Sequence, residues 1–372
     1  MLPTIQTLET PCLLVDKVAF LHNISMLESH LSHFEVAFRP HLKTVKSIDA
    51  ASFITQPYGG CTVSTLKEAE VFAAAGYKDF TYAVGITEDK LPRVLDLINQ
   101  GSKVTVLLDS LAQAQFVHHF CEKQDCKIPC LIEIDCDGQR AGLTANDKSL
   151  ITIATILANK GLYQGLLTHA GGAYSCTSKE QVAQFAERER SAVVSAAKLL
   201  KDAGIATTVT SIGSTPTALC TQNLNGISEV RAGVYPFFDL VMAGVGVCDI
   251  EDIALSVLTR VTGVHSQDKR VFIDAGWMAL SRDRGTASQQ YDCGYGLVCN
   301  AQGTLIPGLK VISASQEHGI IECEPGFPLP DIQHGELLRI LPNHACATAA
   351  QHQGYHVFSH DEVAYWPRFT GW

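Results

Sequence analysis

The sequence of 372 residues has 13 cysteines but no CxxC pair. The odd number, and singles such as Cys61, Cys130, Cys220 and Cys299 set inside apolar runs, exclude a disulfide framework of the secreted type. They read as small core side chains in a reducing compartment. No run of Lys and Arg is long enough to track phosphates, and 28 basic against 38 acidic residues leave a net charge of −10, which excludes a nucleic-acid partner. The longest uncharged apolar stretch, Leu240–Cys248, is about half of what a membrane span needs. The opening MLPTIQTLETPCLLVD has no basic n-region and an acid before any lysine, so it is not a signal peptide. The expectation is a cytoplasmic protein with no membrane partner. There is no internal repeat and no low-complexity linker.

What remains is an apolar-rich chain, 46% hydrophobic with 18% charged residues, that can bury a large core. Its first 240 residues alternate between short β-branched runs and helical stretches. Strands are predicted at 36–38, 61–63, 80–83, 104–108, 130–134, 165–168, 207–211 and 229–232. Helices are predicted at 17–33, 65–75, 111–123 and 179–203, the last ending before Gly204, a suitable residue just past a helix. Eight strands with intervening helices predict a (β/α)8 TIM-like barrel, the alternative being an open doubly wound sheet. After about Leu240 the pattern turns to alternating strands separated by Gly and Pro, at 253–265, 270–274, 296–300, 309–315, 319–323 and 336–341. This predicts a C-terminal antiparallel β domain. The expected division is residues 1–245 and 246–372.

In such a barrel the chemistry sits past the carboxyl ends of the strands. The first strand runs into Arg39–Lys46, RPHLKTVK, where His41 and Lys43 share a face if the strand continues. A lysine at a barrel mouth suggests an imine-forming amine, and a solvent-facing loop lysine is the plain alternative. Arg140, flanked by Gly138 and Gly142, suits an oxyanion or phenolate, or a surface turn. In Thr168–Tyr174 the Gly171–Gly172 pair permits close backbone approach to a ligand. His169 there is structural unless other features recruit it. Gly213-Ser214-Thr215-Pro216 combines a glycine turn, two hydroxyls and a helix start, which suits phosphate or an ordinary cap. Tyr235 follows the eighth strand. Late in the chain, His344 and Cys346 share a face of an extended segment and could hold one divalent ion, most naturally zinc. His352 and His356 compete as a pair, although Gly354 between them weakens a helix.

Together TPCLLVD, RPHLKTVK, THAGGAY, GSTPT, DAGW (Asp274–Trp277) and PNHAC (Pro342–Cys346) resemble the D-serine dehydratase / D-threonine aldolase family. That family belongs to the alanine-racemase-like enzymes that use pyridoxal 5′-phosphate (PLP). The resemblance runs from about Thr10 to Val357. It implies that Lys43 holds PLP and acts in catalysis, with Lys46 a bystander. It implies that Arg140 contacts the phenolic oxygen. His169 would lie against the pyridine ring and be a second catalytic candidate, with Tyr174 nearby. Gly213, Ser214, Thr215 and Tyr235 would hold the phosphate. His344 and Cys346 would hold the metal, with zinc ahead of manganese or magnesium. The family also implies a homodimer.

The implied reaction is β-elimination on a small D-3-hydroxy amino acid, D-serine or D-threo-3-hydroxyaspartate, giving a 2-oxo acid and ammonia. The alternative is retro-aldol cleavage to glycine and an aldehyde. A His-x-Cys metal pair belongs to the dehydratase side of the family, and His-x-Asp is typical of aldolases. Racemization and non-catalytic PLP binding are further alternatives. The β domain and the His344/Cys346 pair argue against a pure binder. Val45 departs from a family pattern that often has histidine there. Arg282 and Arg284 are candidates for a second substrate carboxylate or for a solvated loop.

Overall fold

The protein is described from a computed structural model over residues 4–55, 59–359 and 362–372. It divides into two compact units. One comprises residues 27–46, 51–233 and 370–372, and the other residues 1–26, 47–50 and 234–369.

The first of these is the parallel barrel. Its strands are Ala37–Phe38, Gly60–Val63, Asp79–Gly85, Lys103–Leu108, Cys130–Asp135, Tyr163–Thr168, Val209–Ile212 and Glu229–Val230. All eight sequence-predicted strands are present. Each pairs in parallel with its neighbour, and Glu229–Val230 returns to Ala37–Phe38. A bridge from His41 to Thr62 joins the first strand segment to the second, with Leu42 N–H donating to Thr62 O at 2.9 Å. The strands are buried along nearly their whole length, as parallel strands covered on both faces must be.

Three barrel helices begin on the same local device. Thr65, Ser110 and Ser178 cap the backbone N–H groups of Glu68, Gln113 and Gln181. Those three side chains reach back to accept N–H bonds from Ser64, Asp109 and Thr177. The pattern resembles a capping box in which the returning side chain serves the residue before the cap. Five barrel helices also end alike. Tyr77, Ser102, Cys126, Leu162 and Ile205 donate N–H bonds to the carbonyls of Phe72, Leu97, Cys121, Leu157 and Leu200. This is the six-to-one closure of a Schellman motif. Four of the turns use glycine in the left-handed region, and the third uses Asp125 at φ +47°.

The second unit is antiparallel. Leu255–His265, Arg270–Ile273, Gly319–Cys323, Leu305–Ala314, Leu297–Asn300 and Leu337–Leu341 pair in a ring, because Leu255–His265 meets both Leu337–Leu341 and Arg270–Ile273. All six predicted strands of this region are therefore found. Three others were not legible: Cys12–Asp16, Gly354–Ser359 and Glu362–Pro367. The observed division departs from the expected boundary at 245/246, since the second unit takes residues 1–26 and 47–50 and resumes at 234. Cys12–Asp16 pairs antiparallel with Leu255–Leu258 and parallel with His356–Phe358, so its backbone bonds belong to this unit. The aromatic core here joins Phe20 to Phe237 at 5.3 Å, Phe20 to Trp366 at 5.7 Å and Phe237 to Tyr355 at 5.3 Å between ring centroids. No helix among the described residues is long and apolar enough to cross a membrane.

Candidate active site

Lys43 is exposed and lies on the turn that follows the first barrel strand. It is not on an extended face shared with His41, as the spacing suggested. The strand ends at Phe38, and the chain turns after His41, whose Nδ1 accepts from Lys43 N–H at 3.4 Å. The neighbouring Lys46 is committed elsewhere. Its Nζ pairs with Glu68 Oε1 at 3.3 Å, a carboxylate with no solvent exposure.

His169 follows Tyr163–Thr168. Its Nδ1 lies 3.0 Å from Gly213 O. A carbonyl only accepts, so Nδ1 carries the proton and Nε2 is the acceptor. Burial drives its pKa down to about 3 against the help of the Gly213 carbonyl, and Arg140, Lys43 and Arg231 push the same way as burial. His41 is held well below its ordinary value by burial, then by Lys43, Arg231 and His169. Both imidazoles are therefore neutral within a cationic surround. Tyr174 stands beside His169 with ring centroids 6.0 Å apart. Arg140 is exposed and lies against Gly171, where an added Cβ would come within 3.4 Å of its Nε.

The glycine pair is packed closely against protein neighbours. A Cβ on Gly172 would fall 2.7 Å from the Phe185 ring, and its N–H donates to Asp137 Oδ2 at 2.7 Å. Gly213-Ser214-Thr215 forms the predicted turn and helix start. Ser214 caps Thr215–Cys220 and exchanges bonds with Thr217, and Thr215 Oγ1 accepts from Gly233 N–H at 3.2 Å. Tyr235 is fully buried and belongs to the other unit.

Sequence reasoning missed Arg231. Its guanidinium is buried and donates to Ser211 Oγ at 2.5 Å and to Thr168 O at 2.7 Å. Ser211 in turn donates to Glu229 Oε1 at 2.6 Å, and Glu229 Oε2 accepts from Arg39 Nε at 2.5 Å. Burial lowers the affinity of Arg231 for its proton, opposed by Glu229, Glu189 and Glu133. Glu133 was visible as a strand residue but carried no signal. Burial first, then Asp109, lifts its carboxyl to about 7 despite Arg231 and Arg140.

The metal candidates lie in the antiparallel unit. His344 is the N-cap of Ala345–Ala349, so Cys346 is on a short helix and not on the extended segment expected. The side chains still meet. Burial opposes charge on His344, but the bond from its Nδ1 to Asp283 Oδ2 at 2.6 Å, contact with the Cys346 thiol and the field of Asp239 hold its pKa at about 11. Asp239 is buried and accepts from Met242 N–H and Ala345 N–H, which fixes the loop. Asn343 pins the same loop through Thr286 and the Gly294 carbonyl. Among the described residues no group of three or more metal-ligating side chains is assembled.

Asp283 was missed, and the arginines around it are otherwise engaged. Arg282 stacks over Trp277 at 4.3 Å, and Arg284 pairs with Asp292 at 2.7 Å. Both arginine side chains are exposed. His352 and His356 are not on one helix: His352 Nε2 meets Ala279 O at 2.9 Å, and His356 lies in Gly354–Ser359.

Residues 15–240 match the alanine racemase N-terminal domain family, and residues 254–358 match the putative serine dehydratase domain family. The chain belongs to the D-serine dehydratase / D-threonine aldolase family. It is accordingly a PLP-dependent lyase with an alanine-racemase-like fold. It is 46% identical to the D-threo-3-hydroxyaspartate dehydratase of Delftia sp. (strain HT23), over 99% of both chains. It is 28% identical to the D-serine dehydratase of Dictyostelium discoideum, over 96% of this chain and 95% of that one. An alanine racemase-like protein from Idiomarina loihiensis, solved as a crystal structure, shares 46% identity with a TM-score of 0.96 over 99% of both chains.

The residues fit both groups the family uses. Two neutral histidines within a surround of Lys43, Arg231 and Arg140 make a cationic floor suited to a phosphate and a phenolate. His344 and Cys346, an imidazole and a thiol in contact beside two carboxylates, are a donor set for a borderline-soft divalent cation.

Proposed function

We propose that this lyase is a dehydratase, removing water from D-3-hydroxy amino acids by β-elimination, with D-threo-3-hydroxyaspartate as the principal substrate and D-serine the next. The observation that carries the reaction type is the His344–Cys346 contact beside Asp283. A cation held there would act on a hydroxyl and turn hydroxide into a leaving group. The substrate assignment draws on the 46% identity to the Delftia enzyme.

When bound, PLP accepts the electron pair left at Cα, and the metal polarizes the substrate's β-oxygen. Everything else falls to the chain. Lys43 holds the cofactor and takes the Cα proton. His169, uncharged and with its proton fixed on Nδ1 by Gly213, would lie against the pyridine ring without contributing charge. Arg140 binds the phenolic oxygen. Gly213, Ser214, Thr215 and Tyr235 hold the phosphate. His344 and Cys346 ligate zinc, with manganese or magnesium as the other candidates. Asp283 fixes the His344 ring by taking its Nδ1–H, as second-shell carboxylates do at metal-bound histidines. Loss of H from Cα and OH from Cβ leaves an enamine, which hydrolyses to the 2-oxo acid and ammonia. The proposal includes a homodimer in the cytoplasm.

The test is metal dependence with the cofactor kept. Chelation, or Cys346→Ala, should remove most turnover while the near-visible absorbance of bound PLP stays. Full turnover in metal-free protein would end the proposal.

A further inference from the structure

The third of the five Schellman closures differs from the rest in chemistry. At such a turn the side chain three residues before the C-cap commonly meets the side chain just past the left-handed residue. Phe72 meets Tyr77 in this way, with ring centroids 5.4 Å apart. At the end of Leu111–Lys123 the two positions are Cys121 and Cys126. Cys126 N–H donates to Cys121 O at 3.0 Å, and Asp125 N–H to Glu122 O at 3.4 Å, so the motif is complete. The two thiols are in hydrogen-bond contact. Cys121 is buried, whereas Cys126 is half-buried between the exposed Asp125 and Lys127.

We propose that Cys121 and Cys126 are a thiol-oxidation site, forming a reversible disulfide when the protein meets a hydroperoxide. A closed turn already holds the two side chains in contact, the close approach a disulfide needs. The accessible Cys126 reacts first. Its thiolate attacks the peroxide, the O–O bond breaks, and a sulfenic acid and hydroxide form. The Cys121 sulfur then displaces the sulfenic oxygen, the S–S bond forms, and water leaves. Overall two thiols and one hydrogen peroxide give one disulfide and two waters. Burial keeps the Cys121 thiol protonated, its pKa pushed up to about 12, which fits it to the resolving role and not the sensing one. The pair lies at the end of the barrel where helices lead into strands, away from the carboxyl ends, so oxidation leaves turnover intact.

Lys123 and Lys127 make the test direct, because trypsin separates residues 104–123 from residues 124–127. The full-length protein is treated with graded hydrogen peroxide, its remaining thiols are alkylated in denaturant, and the digest is read by mass. The expected product is these two peptides joined, lighter by two hydrogen atoms than their sum, in most chains while Cys220 is still alkylated. It should vanish with dithiothreitol and be absent in Cys126→Ser. Alkylation of Cys126 to the same extent as Cys220, an unlinked sulfinic acid at Cys126, or a link to Cys130 would each overturn the proposal. No outcome depends on which reaction the enzyme catalyses.

Discussion

Lys43 and Lys46 are three residues apart, and their replacement should fail in opposite ways. Lys43→Ala should keep the fold, because its side chain is exposed, and lose the near-visible absorbance of bound PLP together with turnover. Lys46→Ala should keep the absorbance and lose stability. Glu68 has no exposed side-chain surface, and Lys46 is its cationic partner at 3.3 Å. Breaking a buried pair from one side costs about 3–5 kcal/mol. Two features moderate that here. Glu68 also accepts from Ser64 N–H at 2.9 Å, and burial already raises its pKa, so the orphaned carboxyl can take up a proton. We therefore expect about 2–3 kcal/mol, or a fall in melting temperature of roughly 3–4 °C. The assay is an absorbance spectrum and a thermal scan of each PLP-loaded variant. Loss of the absorbance band in Lys46→Ala, with Lys43→Ala retaining it, would refute the assignment of the lysine.

Other perturbations follow from the same geometry. Glu133 has its carboxyl raised from 4.5 to about 7 in the folded apoprotein, so folding favours its protonated form. That preference is present at low pH and is lost as pH rises from about 4.5 through 7, worth at most about 3 kcal/mol. Apoprotein carrying Glu133→Gln should show a shallower fall in melting temperature across that window, and an unchanged slope would contradict the burial argument. Asp283→Asn removes the charge that accepts from His344 Nδ1 and should weaken metal binding about 10- to 100-fold in a competition with a chelator. Equal affinity would mean Asp283 does not support the site. Gly213→Ala should yield no soluble folded protein, since φ is +133° and the new Cβ would sit 2.1 Å from Arg231 O. Gly76→Ala, at φ +97° with no atom within 4 Å, should cost only backbone strain of about 1–2 kcal/mol.

Both sheet types were legible because their signals are local. Runs such as 104–108 and 130–134 are apolar but for Thr105 and Glu133, as suits parallel strands buried on both faces, and cap residues such as Thr65 and Ser178 sit directly before periodic stretches. Cys12–Asp16 escaped because its role depends on distant partners, Leu255–Leu258 and His356–Phe358. Gly354–Ser359 escaped for the same reason, since it pairs with Cys12–Asp16 as well as with Glu362–Pro367. Lys43, His169 and His344 with Cys346 are legible as candidates because each sits in a short motif. Arg231 and Asp283 could not. Arg231 matters through Ser211, Thr168 and Glu229, and Asp283 through His344, which lies 61 positions away. Asp283 also sits between two arginines whose charges attracted the functional reading, and the structure engages those with Trp277 and Asp292.

The most direct measurement is a product assay on metal-replete, PLP-loaded protein given D-threo-3-hydroxyaspartate, D-serine and D-threonine, with the L-isomers as controls. Ammonia and 2-oxo acid are read in one channel, glycine and aldehyde in the other. Equal amounts of ammonia and 2-oxo acid from the D-isomers, fastest with D-threo-3-hydroxyaspartate, are expected. Glycine with an aldehyde would contradict the elimination, and would show that a cysteine beside His344 does not decide which bond breaks.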